Sequence, residues 1–350
     1  MKKAETLQRM DKLDPMHAGK TARLLLMCVL FLAIFLFSFS IGRYGVPLKE
    51  VVRIFLSKIF PLQQTWTAEM ETVVINIRLP RIIMASLVGC ALSTAGASYQ
   101  GVFQNPMASP DILGASSGAA FGAALAILLG GSAKIVTTAA FLSSIVTVMA
   151  VYFIAERAPG QRVVNLILSG IMVGSLFTAG TSYIKLVADP SNQLPAITYW
   201  MIGSLSGSKL SQVSFVIVPM ALGLIPLVLI RWQINILTLG DDEARTLGVN
   251  TGHLRMIVIF CATLITAASV SVSGMIGWVG LVIPHMCRKL IGNDYRYLLP
   301  ASMMMGAVFL LVVDNISRNL LAVEIPIGIL TAFVGAPFFI YLIVKQEKTL

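Results

Sequence analysis

Apolar stretches of helix length, separated by short polar connections, run through nearly the whole chain. A helix that crosses a membrane needs about 20 mainly apolar residues. Ten stretches fit: 23–42, 81–101, 113–131, 134–155, 163–187, 212–231, 254–273, 275–291, 298–321 and 326–344. The eighth carries Pro284 and His285 near its end. Segment 48–58 alternates as an amphipathic helix and is expected at the membrane interface. Residues 194–207 are too short to span and read as a re-entrant or interfacial helix. The run Arg23–Gly42 follows a basic flank. It is nearer a full span than the roughly 7–15 apolar residues of a signal peptide, so it reads as a retained first span. The pattern predicts an all-α, polytopic membrane protein of one domain. A cytoplasmic tail covers 1–22, the membrane domain 23–344 with a short cytoplasmic segment at about 238–250, and a second tail 345–350.

Composition sharpens this reading. Of 350 residues, 57% are hydrophobic and only 12% charged, against roughly a quarter charged in soluble domains. Mean hydropathy is +0.84. The net charge of +10 sits mostly in short connections, where it sets topology rather than binding nucleic acid. Positive charge gathers in 156–162, 231–255, 288–296 and 345–348, which places these segments and both termini in the cytoplasm. The connection 43–81 is the exception: long, basic and on the outer side. The four cysteines (Cys28, Cys90, Cys261, Cys287) are isolated in apolar runs and read as small buried hydrophobes. There is no GxxxxGK[ST], no HExxH and no room for a nucleotide-binding fold, so this chain is expected to make or break no bond itself.

Several motifs need more than lipid anchoring. Arg78-Leu79-Pro80-Arg81 opens one mouth of the second span, and Asn105-Pro106-Met107 through Gly118 breaks the chain at the other. Irregular backbone at membrane depth is tolerated only against protein or a water-filled path, so the pattern points to a passage for a solute. Small residues recur at four-residue spacing in Gly114/Gly118/Gly122, Gly89/Ser93/Ala97 and Gly170/Gly174, as close helix contacts require. Asp314 and Arg318 stand one turn apart and read as a structural pair. Asp241–Gly248 reads as a short helix with an acidic start, stopped by Gly248. Asp189–Asn192 is turn chemistry. His285 reads as a polar helix-end residue.

Taken in order, these motifs strongly resemble the FecCD-type permeases, the membrane subunits of ABC importers for iron–siderophore, haem or vitamin B12. The resemblance covers about residues 70–344. It rests on Arg78–Arg81, Gln100–Gly101 with Asn105–Pro106, Ile112–Gly118, Tyr199–Gly203, Glu243–Val249, Gly274–His285, Asp314 with Arg318, Glu324–Gly328 and Gly335–Pro337. Ser109, where an acid is commoner, and Trp278, where Phe is commoner, depart from the pattern. The resemblance implies a type II ABC importer permease fold in the cytoplasmic membrane of a prokaryote. It implies that Arg78, Arg81 and Arg318 meet carboxylates of an extracytoplasmic substrate-binding protein. Asn105 and Met107 would form a cytoplasmic gate, with Ala188 and Ser191 as an outer counterpart. Asp242, Glu243, Ala244, Arg245, Leu247 and Gly248 would form the coupling helix that docks on a cytoplasmic ABC ATPase dimer. A second permease copy or paralogue would complete the passage. No cofactor is expected on this chain; ATP is used by the partner. The expected cargo is an iron(III)–siderophore complex, with haem or cobalamin as alternatives. An ion-coupled secondary transporter would need midplane acids, and the spans offer few.

Overall fold

The computed structural model describes residues 15–346. Fifteen helices follow one another, and there is no strand among the described residues. Helix α1 (Pro15–Ser38) leads to the amphipathic α2 (Leu48–Ser57) and to α3 (Ala68–Thr72), which continues through one π turn (Val73–Arg78) into α4 (Leu79–Val102). Next come α5 (Ala115–Leu128), α6 (Ala133–Arg157), α7 (Arg162–Val187), α8 (Gln193–Ile202) and α9 (Leu210–Leu229). The remainder are α10 (Arg231–Leu237), α11 (Asp241–Thr246), α12 (Thr251–Ser273), α13 (Val279–Ile291), α14 (Tyr295–Asn319) and α15 (Ile327–Gln346).

Each of the ten expected spans has its helix, and among the described residues seven of these are long and apolar enough to cross a membrane. The exceptions are instructive. The stretch expected over 113–131 is a helix only from Ala115 to Leu128. The one expected over 275–291 begins at Val279, and α15 is fully described only over Ile327–Tyr341. In the first two, irregular chain (103–114 and 274–278) replaces helix and packs against protein at Ala108, Leu113 and Ile276. Ala108 and Leu113 are fully buried. Gln100 Nε2 of α4 donates to the carbonyls of Ala108 and Gly280, both at 3.3 Å. One buried amide thus serves a carbonyl of the first irregular segment and one in the first turn of α13. Such carbonyls must find donors away from water.

The boundaries of the first two spans also shift. Helix α1 is already helical at Pro15, the first described residue, before the expected 23. It ends at Ser38 rather than Gly42, where the chain turns under the Arg78 side chain. A Cβ on Gly42 would lie 2.3 Å from the Arg78 guanidinium. The second span is a 35-residue helix from Ala68 to Val102. Pro80 lacks an N–H, and the ladder just before it opens to a five-residue step, with Leu79 N donating to Val74 O.

Helix α4 is the hub. It packs on α9, α12, α13 and α14, and nearly every residue from Pro80 to Val102 is buried. Glycine permits this. A Cβ on Gly89 would sit 2.2 Å from the Gly306 carbonyl, and one on Gly96 1.8 Å from the Gly280 carbonyl. The Gly118/Gly122 face likewise meets Thr147 and Ala139 of α6, while Gly170 meets the Ile112 carbonyl. The small-residue faces are therefore occupied within this chain. Trp278 starts α13 at φ +71°, a strained region for a large side chain. It packs at Gly335, where a Cβ would lie 2.4 Å away. Cys261 and Cys287 are buried as expected, but Cys28 is exposed on α1.

Replacing Gly96 by Val should lower the thermal midpoint of the detergent-solubilised protein or abolish its folded peak. The expected cost is at or above the roughly 1–3 kcal/mol of ordinary overpacking, since backbone rather than a flexible side chain is the obstacle. Gly45→Ala, with no atom within 4 Å of its Cβ position, should change stability by less than about 0.5 kcal/mol.

Candidate functional site

Three regions line up along the bundle. One end of the bundle holds a buried charge cluster. Arg81, in the first turn of α4, donates from Nε to Asp314 Oδ1 at 2.8 Å. Its Nη1 reaches Glu324 Oε2 at 2.8 Å and Oε1 at 3.0 Å. Arg318 Nε lies 3.1 Å from Asp314 Oδ2. Arg318 also donates to Asn315 Oδ1. Arg78 donates to the carbonyls of Phe39 and Tyr44, and Arg43 to those of Arg318 and Leu321. The expected Asp314–Arg318 pair is present, but it belongs to a larger network. Arg78, Arg81 and Arg318 are only 3%, 6% and 8% exposed, so the open rim of arginines expected from the sequence is not found. Burial is tolerable because each guanidinium meets oxygen acceptors; an unpaired buried charge would cost several kcal/mol. Arg81 and Arg318 pair with the two carboxylates (314, 324) while Arg43 and Arg78 meet only carbonyls, so this end keeps excess positive charge. Arg43 remains exposed. The rest of the basic 43–81 connection is partly paired locally, with Lys58 2.6 Å from Glu71. Sequence reading missed Glu324 and Arg43 as members. An acid in the short connection after α14 was the signal for the first.

The middle region is a cleft of about 570 Å³ between α5 and α7. Its walls include Asp111, Ser117, Ser175, Thr178 and Ser182. The hydroxyls of Ser175, Thr178 and Ser182 donate back to the carbonyls of Ile171, Gly174 and Thr178 at 2.8–3.0 Å. Their donors are thus engaged, and oxygen lone pairs remain for the cleft. Gly114, at φ +75°, and Gly174 let the two walls approach. The sequence reading gave none of the cleft residues a site role, although Ile112, Gly114, Ser117, Gly170 and Gly174 stood in its motifs. Asn105 and Met107 form a tight turn at the end of α4, with Met107 N donating to Asn105 Oδ1 at 2.9 Å. Met107 is half exposed, at 47%. Ala188 is buried against Ala124, Ile184 and Ile197, so it is core and not wall in this structure. Ser191 sits in the exposed turn where Asp189 Oδ2 accepts from Asn192 N at 2.9 Å. His285 packs its ring against Phe338.

The region at the opposite end is α11. Three acids begin it, and Gly248 at φ +79° ends it. Asp241 anchors the segment to the first turns of α12 through Arg255, at 2.8 Å and 3.3 Å. Ala244 is fully buried and holds the helix to the bundle. Asp242, Glu243, Arg245, Leu247 and Gly248 are exposed, and Leu247 is 61% accessible. The predicted six-residue stretch therefore divides: Ala244 packs inward and the other five face out. Nearby, Asp294 caps α14. Burial works against its charge, but hydrogen bonds from Arg296 and Asn235 outweigh that and hold its carboxyl down at about 2.

The comparisons with known proteins supply the family. The model of the FecCD transport family matches residues 30–345. The chain belongs to that family. This FecCD-family chain is 38% identical over 316 residues to the molybdate import system permease protein of Haemophilus influenzae, covering 89% of this chain and 92% of that one. It is 37% identical over 329 residues to a Helicobacter pylori protein named "probable iron chelatin transport system permease protein", covering 94% and 99%. Other relatives are named for cobalamin and hemin. A solved structure of a metal-chelate type ABC transporter, inward-facing, superposes with a TM-score of 0.84 at 36% identity, over 93% of this chain and 99% of that one. The chain is thus an all-α, multi-pass ABC importer permease, and its relatives are named as transport subunits.

Asp314→Asn should destabilise the protein by about 3–5 kcal/mol, because it removes the buried carboxylate charge that two guanidinium groups share. Glu324→Gln should cost no more than about 1 kcal/mol, since that side chain is one-third exposed and screened. Chemical unfolding in detergent, followed by tryptophan fluorescence, distinguishes the two.

Proposed function

We propose that this FecCD-family permease carries an iron(III)–siderophore complex across the cytoplasmic membrane of a prokaryote. In this reading both termini are cytoplasmic, and two copies, or one copy and a paralogue, enclose the passage. A cytoplasmic ATPase dimer uses ATP and drives the bundle between inward- and outward-open states. The observation that carries the reading is the pairing of two docking features at opposite ends of the bundle. The exposed face of α11 (Asp242, Glu243, Arg245, Leu247, Gly248) is an anchored helix that fits a groove on the ATPase, and Ala244 sets its height. The excess positive charge around Arg43, Arg78, Arg81 and Arg318 suits acidic lobes of a binding protein, where charge mainly steers encounter. Asn105 and Met107 stand as the cytoplasmic gate. Ser191 stands as part of an outer one, with Ala188 fixing the turn that holds it.

The cleft favours a chelate over a bare oxyanion. Among its described lining residues there is no lysine or arginine, and its one charge is the Asp111 carboxylate. An oxyanion such as molybdate asks for donors and positive charge, whereas a bulky chelate can use hydroxyl acceptors and small residues. Haem and cobalamin remain the second reading, because relatives named for each share this chain's architecture. Ion coupling has less support. Among the described residues, Asp314 is the one acid within the interior of a long span, and it is held by Arg81 and Arg318.

Proteoliposomes carrying the permease with its ATPase and binding protein should accumulate labelled ferric siderophore when ATP is supplied, with ionophores present. Accumulation without ATPase, driven by a proton or sodium gradient, would overturn the importer reading; preferential uptake of haem, cobalamin or molybdate would overturn the cargo.

Leu247→Asp should lower uptake by about tenfold or more, the scale of losing a buried anchor at an interface. It should leave the thermal midpoint of the permease unchanged, since Leu247 is exposed. Co-purification of the ATPase reads out the lost contact directly.

A further inference from the structure

Between α6 and α12 lies a cavity of about 330 Å³ that none of the three functional regions uses. Ile145, Met149, Phe153, Met256, Phe260 and Leu264 form much of its wall. Thr263 also borders it, but its hydroxyl bonds Tyr99 at 2.9 Å. A cavity so lined gives water no partners and takes hydrocarbon instead. Phe153 and Phe260 are about half exposed, at 51% and 50%, so the groove opens on the outer flank of the bundle, where lipid chains lie. In the orientation proposed above it sits in the cytoplasmic half of the membrane.

Its cytoplasmic end is cationic. Tyr152 borders both the groove and a small polar recess lined by Glu156, Arg162, Gly252 and Arg255. Arg162 reaches Glu156 at 3.1 Å, and Arg255 reaches Asp241 at 2.8 Å. Arg255 is 3% exposed, yet its buried Nε finds no acceptor. Gly252 leaves room for the Arg162 guanidinium, which would lie 2.5 Å from a Cβ there. Arg157, next in the chain to Glu156, lies over the Phe153 ring and has no carboxylate partner among the described residues. Three arginines therefore face two acids at the head of an apolar groove.

We infer that this groove and its arginine-rich head hold one anionic phospholipid of the cytoplasmic leaflet. An acyl chain fills the space between α6 and α12, and the phosphodiester lies at Arg157 and Arg162. The vertical order of hydrocarbon wall and then cation matches that of the lipid itself, and surplus positive charge selects an anionic headgroup. The inference rests on the proposed orientation only for the choice of leaflet. It is independent of the cargo.

Native mass spectrometry of the full-length permease in mild detergent, titrated with phosphatidylglycerol or phosphatidylcholine, tests it. Wild type should retain one phosphatidylglycerol with a preference of about tenfold, the scale of one charge-assisted hydrogen bond. Arg157→Gln with Arg162→Gln should erase the preference. Leu264→Trp, which fills the groove, should erase retention of either lipid. If that variant does not fold, Met149→Phe is read in its place. Equal retention of the two lipids by wild type would overturn the inference. So would undiminished phosphatidylglycerol binding by the folded groove-filled variant. ATP-driven uptake by the arginine variant separates this failure from failure of the importer reading.

Discussion

Everything in this bundle depends on how closely other helices can approach α4. Lipid tails are as apolar as leucine, so helices in a membrane gain little from burying hydrophobic surface and must gain from close packing. Gly89 against Gly306 and Gly96 against Gly280 bring backbones together where any Cβ would collide. That approach sets α13 and α14 beside α4. It also brings Gln100 within reach of the carbonyls of Ala108 and Gly280. A stretch of non-helical chain and the first turn of α13 are thereby tied to α4.

The charge cluster at the outer end is a consequence of the same arrangement. Arg81 belongs to α4, Asp314 and Arg318 to α14, and Glu324 to the connection that follows. Only because α4 and α14 lie together can one carboxylate serve two guanidinium groups. Buried ion networks of this kind contribute less to net stability than their Coulomb attraction suggests, since desolvation is large. Their value is geometric. They fix the outer ends of two central helices in one register and leave surplus positive charge beside an exposed Arg43. At the inner end the Asp241–Arg255 pair does the equivalent for α11 and α12. A force applied at α11 is therefore delivered to a long central helix and not to a loose loop, which suits rigid-body movement of packed helices.

The cleft between α5 and α7 and the groove between α6 and α12 show how differently two hollows can be built. The first has small residues, hydroxyl oxygens and one carboxylate. The second is apolar with cations at its end. The former suits transient contact with a polar solute, and the latter a resident amphiphile.

The order of apolar runs determined the all-α membrane architecture, because span length is imposed by bilayer thickness and owes nothing to partners. Local chemistry was equally legible where it acts locally. Asp241–Gly248 forms the expected short helix, Asp314 and Arg318 pair one turn apart, and 48–58 is an amphipathic helix. What the sequence could not determine was burial. Arg78, Arg81 and Arg318 read as exposed because charge usually is, yet they lie inside because acceptors from the connection after α1, from α14 and from the 320–326 connection converge on them. Likewise Leu113 and Met275 continue apolar runs and read as helix. The chain there is irregular because Gln100, Gly96 and Gly203 supply donors and space that exist only once the helices have packed. Hydropathy reports the solvent each residue prefers, and tertiary structure alone decides which neighbours stand in for it.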